Sequence, residues 1–142
     1  MKSVGMVTSG ISRAARWLRG AERALEDSRW DDVVYSAQMC VEQSAKSVLL
    51  LLGIDYPKEH DVSDILSELA GREDLPRWFK EGIPFMSRHI AELAALRGLA
   101  GYGYEMGLGA DYFKDYAGEA LEAARTIHSL CERLVNQLCP KG

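Results

Sequence analysis

Apolar residues recur at helical spacing in at least four long segments of this chain, and no segment alternates apolar and polar positions as a strand does. In the first segment, from about Ser9 or Ile11 to Ser28, Ile11, Ala14, Leu18, Ala21 and Leu25 form one apolar face, with Ser9 or Ser12 as caps. Residues 1–8 read as a flexible N-terminal tail. Arg13, Arg16, Arg19 and Arg23 lie on the opposite face, interrupted by Asp27. Such a row is either a solvated face or a stripe for RNA phosphates.

The second segment begins near Asp31 or Asp32, whose carboxylates suit a helix N-terminus, and runs to Leu52. Between Tyr35 and Leu52 it has no Gly or Pro. At 100° per residue, Tyr35, Gln38, Glu42, Lys46 and Leu49 share one narrow stripe, and Ser36, Cys40, Gln43 and Ser47 share another. Val34, Ala37, Val41, Val48 and Leu52 fill the flank between them. A helix with so little continuous polar face is mostly buried. Glu42 and Lys46, at i and i+4, are in the favourable order for an ion pair. If exposed to water or to a second subunit, that pair is worth about 0.2–0.5 kcal/mol. Gly53 stands where a left-handed cap ends the helix.

A loop over 53–59 carries Pro57, and a short helix follows from about Asp61 to Ala70, stopped by Gly71. Pro76 suits a first helical turn. Gly82-Ile83-Pro84 then breaks or kinks the chain, which predicts a short piece near 76–81 and a longer helix from Phe85 to Leu99. Gly98, Gly101, Gly103, Gly107 and Gly109 mark a loop of about a dozen residues. The last helix runs from about Tyr112 to Leu138, with Tyr116, Ala120, Ala123, Ala124, Ile127, Leu130, Leu134 and Leu138 on its apolar side. The expected fold is therefore all-α: an up-and-down four-helix bundle with one additional short helix, in a single domain.

Composition narrows the function classes. The chain has 142 residues, a net charge of −4 and a pI near 5.4, which excludes an overall electrostatic footprint for nucleic acid. Cys40, Cys131 and Cys139 are odd in number and lack Cys-x-x-Cys spacing, so they read as reduced thiols of a cytoplasmic protein. The longest strictly apolar run, Val48–Leu52, is far too short for a membrane span, and the first residues do not read as a signal peptide. One Asn and three Gln stand against eleven Arg, a scarcity of heat-labile amides. Three His without paired spacing predict no zinc site, and the glycine-rich stretch lacks the strand and Lys-Ser/Thr of a phosphate-binding loop, so no metal or cofactor is expected.

Ala37, Gln38, Glu42, Lys46, Leu49 and Leu50, followed by Gly53 and then by His60–Asp61 with Ile65–Leu66, resemble the HEPN domain, a small helical family of prokaryotes and eukaryotes. The resemblance covers roughly residues 10 to 138. It implies a nucleotide- or partner-binding helical domain, with a minimal nucleotidyltransferase encoded next door as companion in a nucleotide-handling or toxin–antitoxin pair. It also implies a ribonuclease alternative, in which an Arg is followed by four to six residues and then a His, often with a Tyr two residues beyond. Here Arg97 is in place, but Tyr102 and Tyr104 stand where His and Tyr are expected. A phenol with a pKa near 10 is a poor proton shuttle at neutral pH, which argues against nuclease activity.

Arg97, Tyr102 and Tyr104 are thus the candidate ligand-binding residues, binding a nucleotide or RNA. A structural alternative pairs Arg97 with a carboxylate and packs both tyrosines under the loop. Candidate accessory residues are His89, eight positions before Arg97 on the same helix, together with Glu42, Lys46 and His60, the last expected to cap or bond locally at the start of its helix. The double stripe of the second helix and the Ala-rich face of the last leave more surface than four helices need. That predicts a homodimer; a purely structural dimerisation module is a third alternative.

Overall fold

The computed structural model describes residues 4–139. Among these there are five α-helices and no strand: α1 (Val4–Glu26), α2 (Trp30–Leu51), α3 (Ser63–Glu68), α4 (Arg77–Tyr102) and α5 (Lys114–Leu138). Short 3-10 turns follow α3 at Leu69–Gly71 and link α4 to α5 at Gly103–Met106 and Ala110–Phe113. The all-α expectation holds, with four long helices and one short one.

α2 is the centre of the bundle, packing against α1, α5 and α4. Its sequence explains the position. Val33, Val34, Ala37, Cys40, Val41, Ala45, Val48 and Leu49 are buried on almost every side of the helix. Glycine allows one of these contacts to be close: a Cβ on Gly10 of α1 would fall 2.2 Å from Ser47 Oγ. α2 ends as its sequence predicts. Gly53 takes φ +71°, and the amides of Gly53 and Ile54 donate to Leu50 and Leu49 carbonyls at 3.1 and 2.9 Å.

Three sequence expectations need correction. α1 begins at Val4, so residues 4–8 are its first turns instead of a tail, and residues 1–3 lie outside the described ones. The reason is Val7, fully buried one turn before Ile11, which extends the apolar face towards the N-terminus. The break at Gly82–Pro84 does not occur either, and α4 is one 26-residue helix with Pro84 inside it. Phe79, Ile83, Met86, Ile90 and Leu93 form one buried stripe through the proline. Their packing outweighs a local cost of about 3 kcal/mol for an interior proline. Gly82 serves the packing, because a Cβ there would fall 2.8 Å from Leu130 Cδ1 of α5. Finally, Gly98 and Gly101 lie within α4, so the glycine-rich connection begins at Gly103.

Cys40 and Cys131 are buried core residues, and no disulfide joins Cys40, Cys131 and Cys139. Burial pushes the Cys40 thiol up to about 12 and the Cys131 thiol up as well, so both stay protonated. No helix among the described residues is long and apolar enough to cross a membrane.

Candidate functional site

Arg97 lies on the last stretch of α4 and reaches across to α2. Its Nη1 donates to Gln38 Oε1 at 2.7 Å and to Met39 Sδ at 2.9 Å, and its Nη2 donates to the Tyr35 hydroxyl at 3.1 Å. The guanidinium carbon stands 4.8 Å from the centre of the Tyr35 ring. Every one of these partners is uncharged. Among the described residues no carboxylate forms an ion pair with Arg97. The arginine is therefore oriented without being neutralised, a state suited to an anionic ligand. The alternative in which a carboxylate ties it down does not apply.

Tyr35 also forms a wall of a shallow cavity of about 280 Å³, with Asp31, Asp32, Ala100, Gly101, Tyr102 and Tyr104. Gly101 makes room for it, since a Cβ there would stand 3.0 Å from Tyr35 Cε1. Tyr102 is the last residue of α4 and Tyr104 belongs to the 3-10 turn after it. Their rings are 6.4 Å apart and tilted by 40°. They do not pack under the connection: 60% of Tyr102 and 70% of Tyr104 is exposed. Two open aromatic faces at the mouth of a cavity suit the stacking of a planar ligand.

From Gln38 a hydrogen-bonded chain continues along α2. Gln38, fully buried, donates through Nε2 to Glu42 Oε1 at 2.8 Å. Lys46 Nζ donates to Glu42 Oε2 at 2.8 Å, and His60 Nδ1 meets Glu42 Oε1 at 2.9 Å. The ammonium of Lys46 also stands 5.5 Å above the Tyr56 ring. Burial works against the charge of Glu42, but the hydrogen bonds from Lys46, Gln38 and His60 outweigh it and hold the carboxyl below its ordinary range.

Two expectations change here. The Glu42–Lys46 pair forms, but Glu42 is only 7% exposed, so the stripe does not face open water. His60 does not bond locally; it reaches back eighteen residues to Glu42, while Asp61 accepts the amide of Ser63 at 2.9 Å at the start of α3.

Arg97, Glu42, Lys46 and His60 thus belong to one network, with Tyr102 and Tyr104 beside it across Tyr35. Sequence reasoning placed Tyr35 and Gln38 on the right stripe of α2 but did not name them as site residues, although they are the parts that hold Arg97. The signal was a polar residue buried in the middle of a core helix. His89 is not part of the network. It is 5% exposed, lies 4.3 Å from the Phe85 ring, and its Nε2 meets Arg88 Nη2 at 3.0 Å.

This arrangement agrees with a match between residues 8–134 and the family model described as "HEPN domain". The chain belongs to the HEPN domain family. The match spans most of the chain, including all of α2 and α4 and hence every member of the Arg97 network. No curated protein and no solved structure matches the chain. In this HEPN domain the position that the ribonuclease pattern gives to His, separated from Arg97 by four residues, holds an exposed tyrosine, Tyr102. No histidine is hydrogen-bonded to Arg97 among the described residues.

Proposed function

We propose that this HEPN domain binds a nucleotide or single-stranded RNA at Arg97 without cleaving it. The observation that carries the reading is the guanidinium of Arg97, held only by neutral acceptors, one of which, Tyr35, also lines the cavity of the two exposed tyrosines. In this reading the arginine meets a phosphate, while Tyr102 and Tyr104 stack on a base. The hydroxyl of Tyr102 donates a hydrogen bond but does not shuttle a proton near neutral pH.

An aromatic row supports RNA as a ligand. Arg13 of α1 stands 5.9 Å from the Trp17 ring, Trp17 meets Tyr35 edge-on at 6.3 Å, and Tyr35 lies under Arg97. Arg13, Arg16 and Arg19 are exposed on α1. A strand lying along that row finds two rings, Trp17 and Tyr35, flanked by two cations, Arg13 and Arg97.

The domain acts, in this reading, as a homodimer and as the companion subunit of a minimal nucleotidyltransferase in a cytoplasmic, prokaryotic toxin–antitoxin or nucleotide-handling pair. Met106 and Tyr112, both exposed on the α4–α5 connection, are apolar positions open to such assembly. The identity of the neighbouring open reading frame, and co-purification of its product, test the companion role.

Ligand binding is tested by fluorescence anisotropy with labelled single-stranded RNA and with a labelled mononucleotide. Replacing Tyr102 and Tyr104 together by Ala removes stacking worth about 1–3 kcal/mol per base. Binding should weaken at least about fivefold, with the fold intact by circular dichroism. Unchanged affinity in the double variant would remove the tyrosines from the site.

A further inference from the structure

A second cluster lies on the α4–α5 seam, outside the Arg97 network. His89 and Glu92 are one turn apart on α4, and Glu119 comes from α5. One ring nitrogen of His89 and one carboxylate oxygen from each glutamate lie within 4.8 Å of one another. We propose that His89, Glu92 and Glu119 bind a divalent transition-metal ion between α4 and α5.

Two buried polar atoms at this seam lack a hydrogen-bond partner, His89 Nδ1 and the Tyr116 hydroxyl. His89 is 5% exposed, so its ring is fixed at the seam, and with Nε2 accepting from Arg88 the ring proton is on Nδ1, which leaves Nε2 as the nitrogen a metal would take. Tyr116 precedes Glu119 by one turn of α5. Its phenol is pushed up to about 12, by burial first and then by the negative charge of Glu92 and Glu119. The donor oxygens of both carboxylates lie in the same small volume as the His89 nitrogen. A water on the metal gives the Tyr116 hydroxyl the partner it lacks.

Arg88 at present supplies the cation. Its Nε is 3.8 Å from Glu92 Oε2, and its Nη2 is 3.0 Å from His89 Nε2. A guanidinium only donates, so His89 Nε2 accepts, and the imidazole offers there the lone pair that a metal requires. The Arg88 side chain is 65% exposed and can swing out. Glu119 has no ion-pair partner among the described residues, so of the two carboxylates only Glu92 is paired with a cation. Metal–ligand distances of about 2.0–2.2 Å require the three donor atoms to close in. Glu92 and Glu119 are both exposed and free to change rotamer. One imidazole and two carboxylates suit Zn²⁺, with coordination positions left for water.

The test is calorimetric titration of the metal-stripped full chain with Zn²⁺. The expected result is one Zn²⁺ per chain, with affinity lowered on the order of tenfold or more in Glu119→Gln and in Glu92→Gln. Arg88→Ala should tighten binding several-fold, because the competing cation is gone. Cys139→Ser, which removes the partly exposed thiol, should leave binding unchanged. The proposal is overturned by the absence of saturable Zn²⁺ binding, or by binding that survives both glutamate variants. It is equally overturned if Cys139→Ser abolishes binding, or if Arg88→Ala leaves the affinity unchanged or lower.

Discussion

Replacing Glu42 with Ala should cost about 2–4 kcal/mol of folding stability, far beyond the effect of an exposed pair. The side chain of Glu42 is 9% exposed and accepts three hydrogen bonds, from Gln38, Lys46 and His60. Hydrogen bonds to a charged group contribute about 1.5–3 kcal/mol, and breaking a buried ion pair costs about 3–5 kcal/mol. The lower range applies because the Lys46 side chain, 18% exposed, can turn to water once unpaired. Glu42→Gln keeps the shape and one acceptor and should cost about 1–2 kcal/mol. Urea denaturation followed by circular dichroism measures both, with an unchanged m-value showing that the unfolding reaction is the same. The effect should also depend on pH. The folded-state pKa of Glu42 lies below its ordinary value of 4.5. Its charge therefore contributes stability that is fully present above the unfolded-state pKa and is lost as pH falls through the lower folded-state value. The gap between wild type and Glu42→Gln should be wide at neutral pH and narrow below about 4.5. A cost under about 0.5 kcal/mol for Glu42→Ala at neutral pH, the range of ordinary surface changes, would refute the buried network.

Other consequences can be checked separately. Gly101→Val should drive its side chain into the Tyr35 ring, cost about 1–3 kcal/mol and weaken ligand binding, read by thermal melts and anisotropy; a neutral variant would contradict the close contact. Pro84→Ala should stabilise the protein by about 1–2 kcal/mol, because the regained hydrogen bond within α4 exceeds the loss of a proline from the unfolded chain. A destabilised variant would show that the proline is needed where it stands. Light scattering at micromolar concentration should give twice the 15.8 kDa chain mass, and a clean monomer would refute the dimer. Tyr102→His restores the family's Arg-x4-His-x-Tyr pattern and should switch on RNA cleavage; an inert variant would mean that more than the missing His separates this site from a nuclease.

The helices were legible in the sequence because their apolar residues repeat at 3.6-residue spacing and their ends carry local signals, as Gly53 does. The misreadings came where local signals and packing disagree. Gly82, Pro84, Gly98 and Gly101 all read as breakers, yet the stripe from Phe79 to Leu93 keeps α4 whole. Two of those glycines mark close approaches, to Leu130 and to Tyr35, which a single sequence does not distinguish from a turn. Arg97 was legible through the family pattern. Its partners were not, since Gln38 and Tyr35 lie 59 and 62 residues away and no local rule couples them to it. The exposure of Glu42 stayed open in the sequence for a similar reason. Nothing near it in sequence announces that His60, from the segment after α2, closes over its carboxylate.

The most direct test of the central claim reads binding and cleavage from the same samples. An end-labelled single-stranded oligoribonucleotide is titrated with wild-type protein and with Arg97→Ala, measured by anisotropy and then resolved on a denaturing gel. The account predicts that wild type binds the RNA and leaves it full-length, and that Arg97→Ala binds on the order of tenfold more weakly, the loss of a charge-assisted contact to phosphate. RNA shortened by wild-type protein, or equal binding by the two proteins, would contradict it.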